Sequence, residues 1–329
     1  MSTIFCFGEV LLRLAPRGSS PIAIASGFDV HVGGAEANVA AALAQLGHAS
    51  TMLSVLPENA LGDLALGGLA RLGVEVKHAA RRPGRMGQYF LEPGIGPRPP
   101  RVLYDRADSA FVAAAGGRWD AKLFTAADRL HLSGITAALG PACLETSLAT
   151  MRAARQAGAQ ISFDCNYRAS LWEAWGGDAA AAFSDLIGEA DILFGNHRDI
   201  ALVTGRDFTG DGHERAAAEA AFARFPKLMM IAGTARAIDG PDAHHIGARI
   251  DTPDAGFERP ATRIANIVDR IGAGDAFVAG VLHGLIEGSS PQDMLDLGLA
   301  ALVQKHFIAG DIWIGNRADL TQISGDVRR

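Results

Sequence analysis

The chain has 329 residues, 49% of them hydrophobic and 20% charged, which is enough apolar material for a sizeable core in one large or two small α/β domains. Its formal net charge of −6 offers no electrostatic footprint for nucleic acid. No apolar run approaches the roughly 18 residues of a membrane span, so no membrane partner is expected. The three cysteines, Cys6, Cys143 and Cys165, are odd in number and unclustered, which fits a reducing cytoplasm.

Residues 2–9 lack the basic region and small-residue cleavage site of a signal peptide and read as a first strand, 4–7, meeting a turn at Gly8-Glu9. Leu11, Leu12 and Leu14 then alternate loosely with polar residues, 17–21 break the chain, and 28–32 make a second mixed strand. The polar faces of these two strands suggest a smaller, half-exposed sheet. Gly33 and Gly34 open a helix whose apolar positions Val39, Ala42, Leu43 and Leu46 fall at i, i+3, i+4 and i+7, with Gly47 as its stop. Asn38 lies on the first turn off that stripe, where a polar side chain either reaches a ligand or is simply solvated.

A strand at 50–56, a turn at 57–59 and a helix at 62–72 follow, closed by Gly73. The stretch 81–106 is rich in glycine, proline and arginine and holds two aromatic strands, 86–91 and 101–105, joined by the loop 92–97 as a hairpin. Its arginines either solvate a sheet edge or serve a ligand. After Asp108 strands at 129–134, 160–164, 191–194 and 228–231 alternate with helices at 141–157, 179–187, 197–203 and 214–225, the pattern of a doubly wound parallel sheet. His244 and His245 point to opposite sides of a strand, with no cysteine or carboxylate at ligand spacing, and read as surface residues.

The last motif runs from Ile267 to Leu282. Ile264, Ile267 and Val268 read as the end of a buried strand, and Phe277, Gly280, Val281, Gly284 and Leu285 recur at helical spacing. Between them Gly272, Ala273 and Gly274 carry almost no side chain, so a ligand could touch the amides that open the helix, where the dipole favours an anion. Asp275 places a carboxylate beside that site, and an anion cradle next to a base suggests phosphoryl transfer to a hydroxyl. A dinucleotide fingerprint would need glycine at the position of Phe277, and a P-loop would need a Gly-Lys pair, which the chain lacks; both are excluded. Polar residues at the carboxyl ends of parallel strands bind ligands in such folds. That rule predicts that Gly33-Gly34, Asp164, Asn166 and Arg168, Asn196, Gly233-Thr234 and Asp269 to Asp275 converge on one crevice.

The segment Asp269-Arg270-Ile271-Gly272-Ala273-Gly274-Asp275-Ala276-Phe277 resembles the C-terminal signature of the ribokinase-like (PfkB) carbohydrate kinases. Gly33-Gly34-Ala35-Glu36-Ala37-Asn38-Val39-Ala40 resembles the N-terminal one. The resemblance extends from Phe7-Gly8-Glu9 to Gly310-Asp311 and is nearest to a branch of 2-keto-3-deoxygluconate kinases, where Arg-Ile follows the leading Asp and Glu stands at position 36. It implies a single ribokinase-like α/β domain over residues 1–329: a doubly wound, mostly parallel sheet with helices on both faces. Lid segments at about 10–32 and 86–112 would form a small β-sheet. It implies ATP and Mg2+ as cofactors, with a monovalent cation as an option, and a homo-oligomer formed through the lid sheet.

Carried over residue by residue, Asp275 would be the base. The Gly272-Ala273-Gly274 turn, with the amides of Ala273, Gly274 and Asp275, would hold the transferring phosphoryl group. Gly33, Gly34, Asn38, Tyr89, Tyr104, Arg106, Ile135, Asn166 and Arg168 would surround the sugar. Asn196, Gly233 and Thr234, with Gly272 and Gly274, would face the nucleotide, and Asp199 would order magnesium waters. Two departures stand out: Asp199 replaces a longer Glu, and Gly233-Thr234-Ala235-Arg236 replaces the usual Leu-Gly-x-x-Gly nucleotide loop. A sugar acid needs a cation for its carboxylate, which Arg106 and Arg168 could supply as planar donor forks. The expected activity is therefore ATP-dependent phosphorylation of 2-keto-3-deoxygluconate to 2-keto-3-deoxy-6-phosphogluconate. A neutral-sugar kinase of fructokinase or ribokinase type, or a non-catalytic sugar-binding relative, stands as the alternative.

Overall fold

The computed structural model describes residues 3–18, 20–95, 98–240 and 242–321. Ser2 of the first strand, Ser19 of the break after the second, and Gly96 and Pro97 of the hairpin loop lie outside the described residues. Thirteen strands are described: β1 (Thr3–Phe7), β2 (Leu11–Pro16), β3 (Phe28–Gly33), β4 (Ala49–Pro57), β5 (Ala79–Arg82), β6 (Gln88–Glu92), β7 (Arg101–Asp105), β8 (Arg129–Ser133), β9 (Gln160–Asp164), β10 (Ile192–Phe194), β11 (Met230–Ile238), β12 (Ala243–Asp251) and β13 (Gly256–Ala265).

Nine of them form one sheet in the order β13-β12-β11-β10-β9-β8-β1-β4-β5. The strands from β11 to β5 run parallel, and β12 and β13 add antiparallel at one edge. In β1 both faces are buried, as a central parallel strand requires, which is why it reads as an unbroken apolar run rather than an alternating one. Ile4 and Cys6 join the core on one side, with the helices Ala35–Gln45, Ala273–Ile286 and Pro291–Lys305. Phe5 and Phe7 join the core on the other, with Pro141–Gln156, Ala179–Gly188 and His213–Arg224. The fold is thus an α/β doubly wound sheet with helices on both faces.

The remaining strands make a separate sheet, β3-β2-β6-β7, from the two segments read as the lid. Its register sorts two faces. Arg13 pairs with His31 and Tyr89, and Tyr89 with Tyr104, giving a polar row. Leu14 pairs with Val30 and Phe90, and Phe90 with Leu103, giving an apolar row on the opposite face. Arg13 and Tyr89 are buried against the body of the molecule, whereas Val30 and Leu103 are exposed.

Four local expectations are corrected. Gly233 to Arg236 is no loop: β11 continues through it to Ile238, because β12 supplies ladder partners after β10 has ended. The strand before the 272–275 glycine turn ends at Ala265, lies at an antiparallel edge and leaves Val268 62% exposed, so its apolar letters mark an edge rather than a buried strand end. His244 is buried, edge-on to His306, rather than on the surface. Gly134 begins a short helix instead of ending β8. The stretch before the arginine-rich segment also holds β5, which sequence patterning missed because it has only four residues and a single fully buried side chain.

Candidate active site

Gly272 caps the helix Ala273–Ile286 with φ 79°, and a Cβ there would lie 1.7 Å from the carbonyl oxygen of Asp311. Only glycine fits. The amide of Ala273 is turned inward to the carbonyl of Arg270 at 3.3 Å. The amides of Gly274 and Asp275 have no acceptor among the described residues and stand at the positive end of the helix. Of the three amides expected to face an anion, those of Gly274 and Asp275 are therefore the two without an acceptor among the described residues. Above Gly274 the space is open, with nothing within 4 Å of an added Cβ.

The Asp275 carboxylate accepts from the Asn38 amide at 2.6 Å, so the first turns of two helices 237 positions apart meet at one oxygen. Asn38 is buried, not solvated. Burial pushes Asp275 up to about 7, with the charges of Glu36 and Asp311 adding to the rise and the Asn38 hydrogen bond opposing it. Glu36 is itself wholly buried and accepts from the Ser133 amide at 3.0 Å, Ser133 Oγ at 2.7 Å and Thr136 Oγ1 at 2.8 Å. Asp164 is pushed up to about 8, first by burial and then by the charges of Asp275 and Asp199. Asn166, at φ 38°, donates its amide back to Asp164 Oδ1 at 3.0 Å and turns the chain toward Arg168.

Asn38, Asp164, Asn166, Arg168 and the 272–275 turn open on one cleft of about 760 Å³ between the lid and the carboxyl end of the sheet. Of the residues singled out from sequence, Gly34, Asn38, Tyr89, Tyr104, Arg106, Ile135, Asn166, Arg168, Asn196, Thr234, Gly272, Ala273, Gly274 and Asp275 line it. Gly33 does not: a Cβ on it would strike the Asp311 carboxylate, so its role is to let that side chain pass. Gly233 and Asp199 line a smaller adjoining pocket shared with Asn196, Arg168 and Gly274. Asp199 Oδ2 accepts the Asn196 amide at 2.9 Å, completing a capping box at the start of His197–Thr204.

The two arginines expected to read a carboxylate differ. Arg106 is buried and already bound to Glu9, with Nε 2.8 Å from Oε2. Arg168 is exposed, donates only to the Tyr167 carbonyl at 3.1 Å, and has no carboxylate partner among the described residues. Its charge acts on Asp164, Asp199 and Asp275.

Sequence reasoning missed the network that joins the lid to the turn. Arg13 of β2 pairs with Asp269 at 2.6 Å and Asp311 at 3.1 Å, and Tyr89 donates its hydroxyl to Asp311. Asp269 also accepts the amides of Ile271 at 3.0 Å and Gly310 at 3.1 Å. It also missed Arg198 on the cleft wall and gave no role to Arg270, which lies within the 269–275 stretch expected there.

Asp164 and Asp199 line one pocket beside Gly274 and the charge of Asp199 reaches Asp164, a carboxylate pair that could hold the water shell of a divalent cation. Asp269 and Asp311, the carboxylates on the other side of the turn, are already committed to Arg13.

A model of the pfkB family of carbohydrate kinases matches residues 1–307. The chain is 35% identical over 306 residues to the 2-dehydro-3-deoxygalactonokinase of Haloferax volcanii, spanning 93% of this chain and 91% of that one. It is 28% identical over 298 residues to the 2-dehydro-3-deoxygluconokinase of Bacillus subtilis, spanning 89% and 86%. The crystal structure of the 2-dehydro-3-deoxygluconokinase of Thermotoga maritima superposes with a TM-score of 0.86 at 32% identity, covering 98% of this chain and 99% of that one.

Proposed function

This chain belongs to the pfkB family of carbohydrate kinases, and we propose that it phosphorylates a 2-keto-3-deoxy sugar acid at the expense of ATP. The substrate is 2-keto-3-deoxygluconate or its galacto epimer, and the product is the 6-phosphate. The observation that carries this reading is Arg168, an unpaired guanidinium on the cleft wall whose charge reaches Asp275. A neutral sugar gives such a group nothing to pair with, whereas a carboxylate gives it a bidentate partner.

In the proposed reaction the sugar hydroxyl attacks the γ-phosphorus in line. The new O–P bond forms as the bond to the β–γ bridging oxygen breaks, and ADP leaves. Asp275 accepts the hydroxyl proton, and Asn38 keeps its carboxylate aimed at the acceptor. The amides of Gly274 and Asp275 hold the charge of the transferring group. Magnesium, bound with the nucleotide, neutralises phosphate charge, and Asp164 and Asp199 are the residues that would hold its waters. Tyr89 and Tyr104, stacked with ring centroids 5.7 Å apart on the lid, close over the sugar and exclude water.

Arg106 supports a second reading. Because Glu9 already neutralises it, the cleft offers one free lid-side guanidinium less than a strict acid-sugar reader would, which favours a neutral hexose. A coupled ADP-release assay across sugar acids and neutral sugars tests both. A preference for fructose or ribose overturns the acid-sugar assignment. The apolar row Leu14, Val30, Phe90 and Leu103, exposed at Val30 and Leu103 and half-buried between them, is proposed to be covered by a second copy of the chain.

A further inference from the structure

We propose that Arg236 and Arg270 form a guanidinium clamp that positions the phosphates of the nucleotide, in place of the glycine-rich loop that this chain lacks. The proposal rests on the kinase reading above and does not depend on which sugar is the acceptor.

The fold puts both residues beside the anion hole. β10 ends at Phe194, opposite Ala232, so the later part of β11 runs past the body of the sheet with only β12 beside it. Arg236 lies on that overhang, paired with Ile246, and both line the cleft that contains Asp275. Arg270 is tied to the turn itself, since its carbonyl accepts the Ala273 amide. That bond turns Ala273 inward and leaves the Gly274 and Asp275 amides facing the same space.

The charges are uncompensated. Neither guanidinium makes a hydrogen bond or ion pair with any described residue, and the same holds for Arg198 on the same wall. Other arginines of the chain have carboxylate partners, as in Arg249 with Asp251 and Arg259 with Asp296. Arg236 is exposed to solvent, and partial desolvation, followed by the like charges of Arg270 and Arg168, holds it below the ordinary arginine value. Like-charged guanidiniums repel one another, and a polyanion relieves that repulsion. One sugar carboxylate matches Arg168 alone; a triphosphate matches the rest. Guanidinium forks bind phosphate oxygens in pairs, so they fix orientation as well as charge.

The test compares full-length wild type with Arg236→Met and Arg270→Met, by calorimetric titration of ATP, ADP, AMP and adenosine in the absence of acceptor. Thermal melts confirm that each variant is folded. A hydrogen bond to a charged group corresponds to roughly 10- to 150-fold in affinity. Each variant is expected to lose about that much for ATP, less for AMP and nothing for adenosine, and to show a flatter dependence of ATP affinity on salt. Arg236→Lys and Arg270→Lys should recover part of the loss by keeping the charge. Unchanged ATP affinity in both Met variants overturns the clamp, as does an equal loss for adenosine or a loss confined to the sugar acid. If wild type prefers a neutral sugar while the Met variants still lose ATP affinity, the acid-sugar assignment falls and the clamp stands.

Discussion

The Asn38 side-chain amide donates to Asp275 Oδ2 at 2.6 Å, tying the helix Ala35–Gln45 to the helix Ala273–Ile286 at the point where both begin. Asn38 is the hydrogen bond opposing the rise of Asp275. It therefore sets both the aim and the basicity of the proposed base. Glu36, two residues earlier on the same helix, works in the other direction: its buried charge raises Asp275, while its own carboxylate is held away by Ser133 and Thr136.

Replacing Asp275 with Asn keeps the shape and removes proton acceptance. The turnover number is expected to fall about 10²- to 10⁴-fold with little change in sugar affinity, as measured by steady-state ADP release and by equilibrium binding. Near-normal turnover would remove Asp275 from the mechanism.

The pH dependence follows from the same residue. With Asp275 pushed up to about 7, the deprotonated base is scarce in acid, so kcat/KM should rise with pH through about 7 and then level off. Asn38→Leu removes the opposing hydrogen bond and should move that limb to higher pH. Stability runs the other way. A carboxyl that binds its proton more tightly folded than unfolded contributes stability below its unfolded value near 3.8, and that contribution is lost as pH rises through about 7. Melting temperature should therefore decline between pH 5 and 8 less steeply in Asp275→Asn than in wild type. Parallel slopes would mean that the group is not perturbed.

Two glycines of the turn separate chemistry from folding. Gly274 has open space where its Cβ would be, so Gly274→Val should fold normally yet lose turnover by blocking approach to the Gly274 and Asp275 amides. Gly272→Ala meets the Asp311 carbonyl at 1.7 Å with φ at 79°, and should lower stability by more than about 1 kcal/mol. A Gly274→Val enzyme with wild-type kcat would make the turn structural only.

Arg168→Leu decides the acceptor. Loss of a charged hydrogen bond should reduce kcat/KM for the sugar acid by roughly 10- to 150-fold, and should leave any side activity on fructose or ribose unchanged. A uniform loss across sugars with a lower melting temperature would mean that Arg168 only anchors its loop. Arg106→Leu is expected to differ, because it leaves Glu9 buried without its partner and should destabilise the protein as well.

The lid face gives a structural prediction. Leu103, 60% exposed in the apolar row of the four-stranded sheet, should become a charged obstacle in Leu103→Asp. Sedimentation of wild type as an oligomer and of the variant as a monomer would support association through that face. A monomeric wild type would dismiss it.

The amino-acid sequence by itself determined the short-range features. Helix spacing from Val39 to Leu46 and the unbroken apolar run of β1 are written in neighbouring residues, because side-chain direction repeats every 3.6 or 2 positions. The glycine turn at 272–274 is legible for the same reason: backbone approach and a positive φ select residues one at a time. The tertiary structure alone decided which charges meet. Arg106 reads as a free carboxylate receptor until Glu9, 97 positions away, is found to be its partner. Arg13 gives no local sign of joining Asp269 across 256 positions, and Arg236 none of facing Arg270 across a cleft. β11 outran its expected end for a similar reason, since its length depends on β12 having arrived alongside it. Ion pairs and ladder partners draw their energy from proximity in space, and proximity between distant segments has no periodic signature in the chain.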